Sequence, residues 1–267
     1  LKAGYSLKVY NRTLTKTEVL KKYNAEIANS IKEAISDSEV IITMLFVFFL
    51  IGSFQTSFAG DLQEGINRIK AGEYNAGYKL ILPLAEQGNA LAQIVLGSMY
   101  EQGQGVTQDY NEAISWYQNS AQQQNALGQL YLGKMYYHGK GVLQDYREAI
   151  KYFKLSAEQD QKEAQYNLAV MYFYGQGVQQ NFSKAQNIYQ TLAMQGHAKA
   201  RYNLGSMFFK GQGIQQNYKE AFKWFKLSAA QGIAVAQYNL GYLYDQGKGV
   251  VQDCIMAFKL YSLSAKQ

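Results

Sequence analysis

Residues 236–253 read AQYNLGYLYDQGKGVVQD. The stretch is one copy of a pattern that recurs along most of the chain. Leu96, Leu132, Leu168, Leu204 and Leu240 stand 36 residues apart, each followed by a small residue, Gly97, Gly133, Ala169, Gly205 or Gly241. An aromatic comes next at Tyr100, Tyr136, Tyr172, Phe208 and Tyr244, then a Gly-x-Gly pair, first at Gly103/Gly105 and last at Gly247/Gly249. Ala113, Ala149, Ala185, Ala221 and Ala257 follow. Four residues on stand Tyr117, Phe153, Tyr189, Phe225 and Tyr261. Repeats of 20–50 residues announce stacked supersecondary units, and they take precedence over any residue-level reading.

The spacing predicts two helices per copy. Leu96, Met99 and Tyr100 fall at i, i+3 and i+4, one stripe of a first helix. Ala113, Trp116, Tyr117 and Ala121 give the same stripe on a second. Gly97 and Ala113 let the pair approach closely, and the large residues fill the space between pairs. Gly103 and Gly105, lacking Cβ, stop the first helix and turn the chain. Asp109, Asp145, Asn181, Asn217 and Asp253 are then expected as N-caps of the second helices. A sixth, partial unit precedes the five. Its second helix is expected over Tyr74–Glu86, with Leu80, Ile81 and Ala85 at the positions of Trp116, Tyr117 and Ala121. Its first, over about 61–71, supplies the polar-faced end that a solenoid needs.

These residues resemble the Sel1-like repeat, a relative of the tetratricopeptide repeat, from about residue 61 to the end. The resemblance implies a mainly α fold, an α/α superhelical solenoid of helix–turn–helix repeats with a period of 36 residues. It also implies an adaptor that binds proteins. In the last copy Cys254 replaces the aromatic that usually follows the Asp. Some relatives staple each repeat with a disulfide, but this chain has one cysteine, so their stabilisation and their hydrolase-like activities do not carry over.

Composition narrows the function classes. The formal charge is +6, but the basic residues are scattered rather than clustered, which argues against nucleic acid. Two histidines and one cysteine at unrelated repeat positions give no metal-ligand spacing. His138 and His197 are expected to be exposed, and Cys254 to be a packed or half-exposed thiol. No nucleophile–base set or paired-carboxylate motif recurs, so no catalytic residue is assigned.

The first 60 residues do not fit the repeat. YSLKVY at 5–10 alternates like a strand, Asn11-Arg12-Thr13 reads as a turn, 17–34 as a helix, and EVIITML at 39–45 as a buried strand. This order resembles part of the NAD(P)-binding domain of the β-hydroxyacid dehydrogenases, of the 3-hydroxyisobutyrate and 6-phosphogluconate type. The resemblance implies a truncated Rossmann-like remnant over 1–43, in which Asn11, Arg12 and Thr13 would face the adenosine ribose and Arg12 would suit NADP. No Gly-rich phosphate turn, catalytic lysine or substrate domain accompanies it, so cofactor binding is expected to be vestigial. Residues 44–59, MLFVFFLIGSFQTSFA, form an apolar join. Three readings stay open for it: a secretory signal core with a small-x-small site at Ser57–Ala59, a membrane anchor over 40–59, or a buried segment. Export follows from the first, membrane attachment from the second and a cytoplasmic location from the third. A gene fusion and a mis-read open reading frame would leave the same sequence.

The function expected is a non-catalytic scaffold that holds a protein or peptide along the first helices of the solenoid, on its concave side. By analogy with tetratricopeptide repeats, the residues facing that groove are Tyr137, Tyr166, Phe173, Tyr174, Tyr202, Phe209, Tyr238 and Tyr242. Ile94 and Leu130 occupy the same offset as Tyr166, and Glu101, Lys134, Lys210 and Asp245 add charge. The alternative is an NADP-dependent dehydrogenase fragment with a repeat appendage, its cofactor binding lost or partial.

Overall fold

The structure is a computed structural model, and it describes residues 60–266 together with two short strands nearer the N-terminus. The chain divides into two compact units, Leu1–Glu64 and Gly65–Gln267. In the first, β1 (Leu7–Val9) and β2 (Ala25–Ile27) pair in parallel, Leu7 opposite Ala25 and Val9 opposite Ile27. The first strand lies within the stretch read as one. The second corrects the sequence reading, which ran a helix through 17–34. Main-chain pairing with β1 fixes Ala25–Ile27 as extended, and such pairing overrides local helical preference. Asn11–Thr13, the strand at 39–45 and the apolar join at 44–59 lie outside the described residues.

The second unit is all α. After α1 (60–70) and α2 (Tyr74–Glu86) come five hairpins of an A helix and a B helix. The A helices are α3 (Ala90–Gln102), α5 (Ala126–His138), α7 (Lys162–Tyr174), α9 (Ala198–Lys210) and α11 (Ala234–Asp245). The B helices are α4 (Tyr110–Gln122), α6 (Tyr146–Ala157), α8 (Phe182–Met194), α10 (Tyr218–Ala229) and α12 (Cys254–Ser264). Each A helix packs on its own B helix, and each B helix on the next A helix. The result is the superhelical solenoid the period implied.

The close contact within a hairpin falls at the small residue. A Cβ on Gly97 would lie 2.6 Å from the Tyr117 ring and 3.2 Å from the Ala113 carbonyl. The small residue lets that ring slide under the A helix, where Tyr117 is fully buried. The two turn glycines have separate duties. Gly103 takes φ +69° and donates its N–H to the Met99 carbonyl, ending α3. Gly105, at φ +73°, sits 2.9 Å (from its would-be Cβ) off the main chain of Tyr74, at the start of the preceding B helix. The first glycine therefore ends a helix, and the second joins one repeat to the one before.

The caps follow the sequence reading. Asp109, Asp145, Asn181, Asn217 and Asp253 each accept a main-chain N–H from the first turn of a B helix. Two further ties were not read from the sequence. Ser120, Ser156, Ser228 and Ser264 donate to the Ala90, Ala126, Ala198 and Ala234 carbonyls at 3.0, 2.6, 2.9 and 2.8 Å, pinning four of the five B helices to the start of their A helices. Gln108, Gln144, Gln180, Gln216 and Gln252 donate to a carbonyl in the last turn of the preceding A helix, seven residues upstream. Those last carbonyls have no partner within the helix.

No single core holds the array together. Each apolar cluster joins neighbouring repeats: Tyr117 and Ile114 with Leu132 and Met135, Phe153 with Leu168 and Met171, Tyr189 and Leu192 with Leu204 and Met207. Stability is therefore a sum over adjacent units.

Candidate functional site

The A helices follow one another along the array, and side chains bridge from one repeat to the next beside them. Tyr137 Oη donates to Gln176 Oε1 at 2.9 Å, and Asn203 Nδ2 donates to Tyr166 Oη at 3.2 Å. Lys140 Nζ reaches Glu101 Oε1 at 2.8 Å, and Tyr117 Oη donates to the other Glu101 oxygen at 2.9 Å. These bridges border a cleft of about 540 Å³ between α3, α5 and α7, a size typical of ligand sites. Tyr131, Tyr137, Phe153, Tyr166 and Val170 give it apolar walls. Glu101 and Glu163 face Lys134, Lys140, Lys199 and His138 across it. A smaller cleft of about 170 Å³ follows between α7 and α9, lined by Phe173, Tyr174, Tyr202, Asn203 and Lys210.

Cationic and anionic groups are interleaved here. Glu163 lies 3.9 Å from Lys134 and 3.7 Å from His197 Nε2. Its carboxyl is held below the usual carboxylate range, first by the neighbouring His197 imidazole and then by Lys134, against an opposing effect of burial. His138 is also pushed down, first by burial and then by Lys140 and Lys134, so it stays neutral near neutral pH. Burial is the leading cause that pushes the Tyr137 and Tyr166 phenols up. Both remain hydrogen-bonding OH groups rather than anions.

The structure sorts the eight aromatics expected in the groove. Tyr137 and Tyr166 line the larger cleft; Phe173, Tyr174 and Tyr202 line the smaller. Phe209 and Tyr242 line neither. Phe209 packs on Tyr218, Phe225 and Tyr242. Tyr238 leans on Tyr261 yet is 55% exposed, and Tyr174 is 66% exposed. Ile94 and Leu130, at the offset of Tyr166, do not reach the surface. Both are buried, Ile94 in the Tyr117 cluster and Leu130 in the Phe153 cluster. An aliphatic side chain at this offset stops in the core, whereas a tyrosine extends past it.

Two single-residue expectations change. Cys254 is exposed rather than packed. His138 is exposed as expected, but His197 is not: it is the N-cap of α9, its Nδ1 accepting from Ala200 N–H at 3.2 Å, with its ring stacked on Tyr166 at 5.1 Å. The cap position is held by Asn89 and Asn125 in the first two repeats. That offset of 36 residues was the signal that could have placed His197. Tyr131, Lys140, Glu163 and Lys199 were also missed, because the spacing marks a face but not which long side chains converge on it. Among the described residues no cluster of three or more His, Cys, Asp or Glu could hold a metal, and no helix is long and apolar enough to cross a membrane.

The family model described as the Sel1 repeat matches five consecutive stretches, 90–125, 126–161, 162–197, 198–233 and 234–267. The model described as the NAD binding domain of 6-phosphogluconate dehydrogenase matches residues 1–47. Among solved structures, c5321, a protective antigen present in uropathogenic Escherichia coli strains, is 34% identical with a TM-score of 0.71. That match covers 79% of this chain and 46% of the antigen, so the chain spans about half its length. A Sel1 repeat protein from Oxalobacter formigenes is 29% identical, with a TM-score of 0.71, over 77% of this chain and 82% of that one. The Pseudomonas aeruginosa immunity protein Pa5087, at 20% identity and a TM-score of 0.50 over 72% and 74%, shares the fold. No curated protein matches the chain.

Proposed function

The chain belongs to the Sel1 repeat family, and on that premise we propose that it is a non-catalytic scaffold that holds a protein or peptide segment along its A helices. The observation that carries this reading is the row of two clefts there. They offer tyrosine walls and interleaved charge over four consecutive repeats, from Glu101 to Lys210. Tyrosines supply large, rigid contact area, and such anchors dominate binding energy at interfaces. Lys134 and Lys199 against Glu163 give a bound segment a preferred register. Tyr137, Tyr166, Phe173, Tyr174 and Tyr202 are the contact residues in this reading. Phe209, Tyr238 and Tyr242 serve the packing of the last repeats and the rim of the face.

The test is direct. Tyr174→Ala, at a 66% exposed side chain, and Lys134→Glu should each weaken partner capture at least about tenfold, and Tyr174→Ala should leave the melting temperature unchanged. Capture that survives both changes contradicts the reading. Phe209→Ala is a poor probe, because Phe209 packs on three rings and its loss would lower stability as well.

Export fits the same reading. The apolar stretch 44–59 has the length of a secretory signal core. The structural likeness to a bacterial protective antigen supports a location that a host meets. The mature scaffold would then begin near Gly60, and intact mass of the protein from its own cells checks this.

A second reading keeps a nucleotide role for the N-terminal unit. It rests on the match of residues 1–47 to an NAD-binding domain model and on the parallel pairing of Leu7–Val9 with Ala25–Ile27. Asn11, Arg12 and Thr13 would then meet the adenosine ribose of NADP. A fluorescence titration with NADPH that shows no saturable change removes it.

A further inference from the structure

The other side of α7 carries a separate cleft. It measures about 560 Å³ and lies between α6, α7 and α8. Leu168 and Tyr172 face it from α7, whereas Tyr166 and Val170 face the A-helix cleft. Ala157 and Ile188 complete the apolar floor, and Lys154, Lys184 and Glu158 stand on the rim.

One residue explains the opening. The position of Ile188 is held by Trp116, Tyr152 and Trp224 in three of the other repeats. In the second repeat the Tyr152 ring lies flat on Tyr136, centroids 5.8 Å apart and planes at 6°. In the fourth, Trp224 is 8% exposed within the cluster of Leu192 and Leu204. Tyr172 takes the place of Tyr136 in the third repeat. What stands over its ring there is the Lys184 ammonium, 5.2 Å from the centroid. Ile188 packs toward Leu168 and Met171 but brings no ring to Tyr172. The cleft lies at the position that three of the other four repeats fill with an aromatic side chain of their own.

We propose that this slot binds an aromatic side chain, an indole or a phenol, presented by an acidic segment of a partner protein. The aromatic part follows from the shape and from Tyr172, which can stack an incoming ring as Tyr136 stacks Tyr152. The acidic part follows from the rim, where Lys154 and Lys184 outnumber Glu158. Nothing in this site depends on the A-helix clefts, so the two proposals stand or fall separately.

The experiment uses the full chain and three short peptides: a tryptophan flanked by glutamates, the same peptide with alanine for tryptophan, and a tryptophan flanked by lysines. Methyl NMR signals of Ile188 and Leu168 should shift with the first peptide. The alanine and lysine peptides should bind at least about tenfold more weakly, the loss of a central anchor or of a charge match. Ile188→Trp should abolish the shifts at Leu168 and hold or raise the melting temperature, since the fourth repeat already accommodates Trp224. Lys184→Glu, at an exposed side chain, should weaken the acidic peptide without touching the fold. Equal affinity of the Ile188→Trp and unaltered proteins overturns the site, as does equal affinity for the tryptophan and alanine peptides. Equal affinity for the lysine-flanked peptide overturns the acidic partner. Shifts confined to the Val170 methyls, in the A-helix cleft, would overturn the slot in favour of the A-helix face.

Discussion

Gly103 and Gly105 are two residues apart, and alanine should separate their duties. At Gly103 a Cβ would come no nearer than 3.3 Å to its neighbour Gln108, so the cost is mainly the left-handed backbone itself, about 1–2 kcal/mol. At Gly105 the Cβ would press on the Tyr74 main chain at 2.9 Å. Relief there needs one repeat to move against another, so Gly105→Ala should cost about 3 kcal/mol or more in urea denaturation. A reversed order would break the division of labour between the two turns. A second test concerns caps. Gln161 begins α7 with no side-chain cap, although its φ of −70° and ψ of 104° match the −65° and 112° of Asn89, which accepts two N–H groups. Gln161→Asn should therefore stabilise the chain by about 0.5–1 kcal/mol, read as a raised urea midpoint. The glycines and B-helix caps were legible in the sequence because their conformational demands leave few alternatives. Gln108 and Ser120 recur as well, the glutamine in all five repeats and the serine in four. They passed unread because a serine or glutamine inside a helical pattern is unremarkable until a bare carbonyl is seen beside it.

At the scale of elements, the A-helix face couples binding groups to acidity. The folded-state pKa of His138 lies below its ordinary 6.5. Between the lowered value and 6.5 the unfolded chain takes up a proton that the folded chain refuses, so stability rises with pH across that window. Glu163 is also lowered, and its contribution is complete above its ordinary 4.5 and lost as pH falls through the lowered value. Melting curves between about pH 8 and pH 5 should thus show a decline on acidification that His138→Gln flattens. The Glu163→Gln variant should lower stability by a constant amount above about pH 4.5 and change the pH slope only further into acid. Helix periodicity placed Tyr137, Tyr166 and Tyr174 on one face but could not tell Tyr166 from Leu130, because the offset is shared and only side-chain length decides which emerges. The strand Ala25–Ile27 was hidden for a different reason: its conformation is set by a partner at Leu7–Val9, which no local window contains.

At the largest scale, the lack of one central core among the described residues of the repeat array has a mechanical consequence. Each cluster ties adjacent repeats, so damage should stay near its origin. Leu204 is 1% exposed where the third and fourth repeats meet. Leu204→Ala should cost about 2–5 kcal/mol through the cavity it leaves. Hydrogen exchange should then speed in α7–α10, while α3 and α4 keep their protection. Uniform acceleration across all the helices would instead mean a single cooperative core. The 36-residue period made this architecture legible from the start, since a repeated unit that cannot bury its own face must bury it on its neighbour. The clefts were less legible. They arise where the repeats differ, at Ile188 and in the mixture of Glu101, Lys134 and Glu163, and a consensus averages such differences away.

The claim that the A-helix face is where this scaffold holds its partner is tested most directly by site-specific photo-crosslinking. A benzophenone amino acid would be placed at Tyr174 in one variant and at Lys223, on the B-helix side of the fourth repeat, in another. Each would be irradiated in the protein's own cells. A discrete adduct from position 174, absent from position 223 and lost when Lys134→Glu is added, is the predicted result. The same adducts from both positions, or an adduct from position 223 alone, would contradict it.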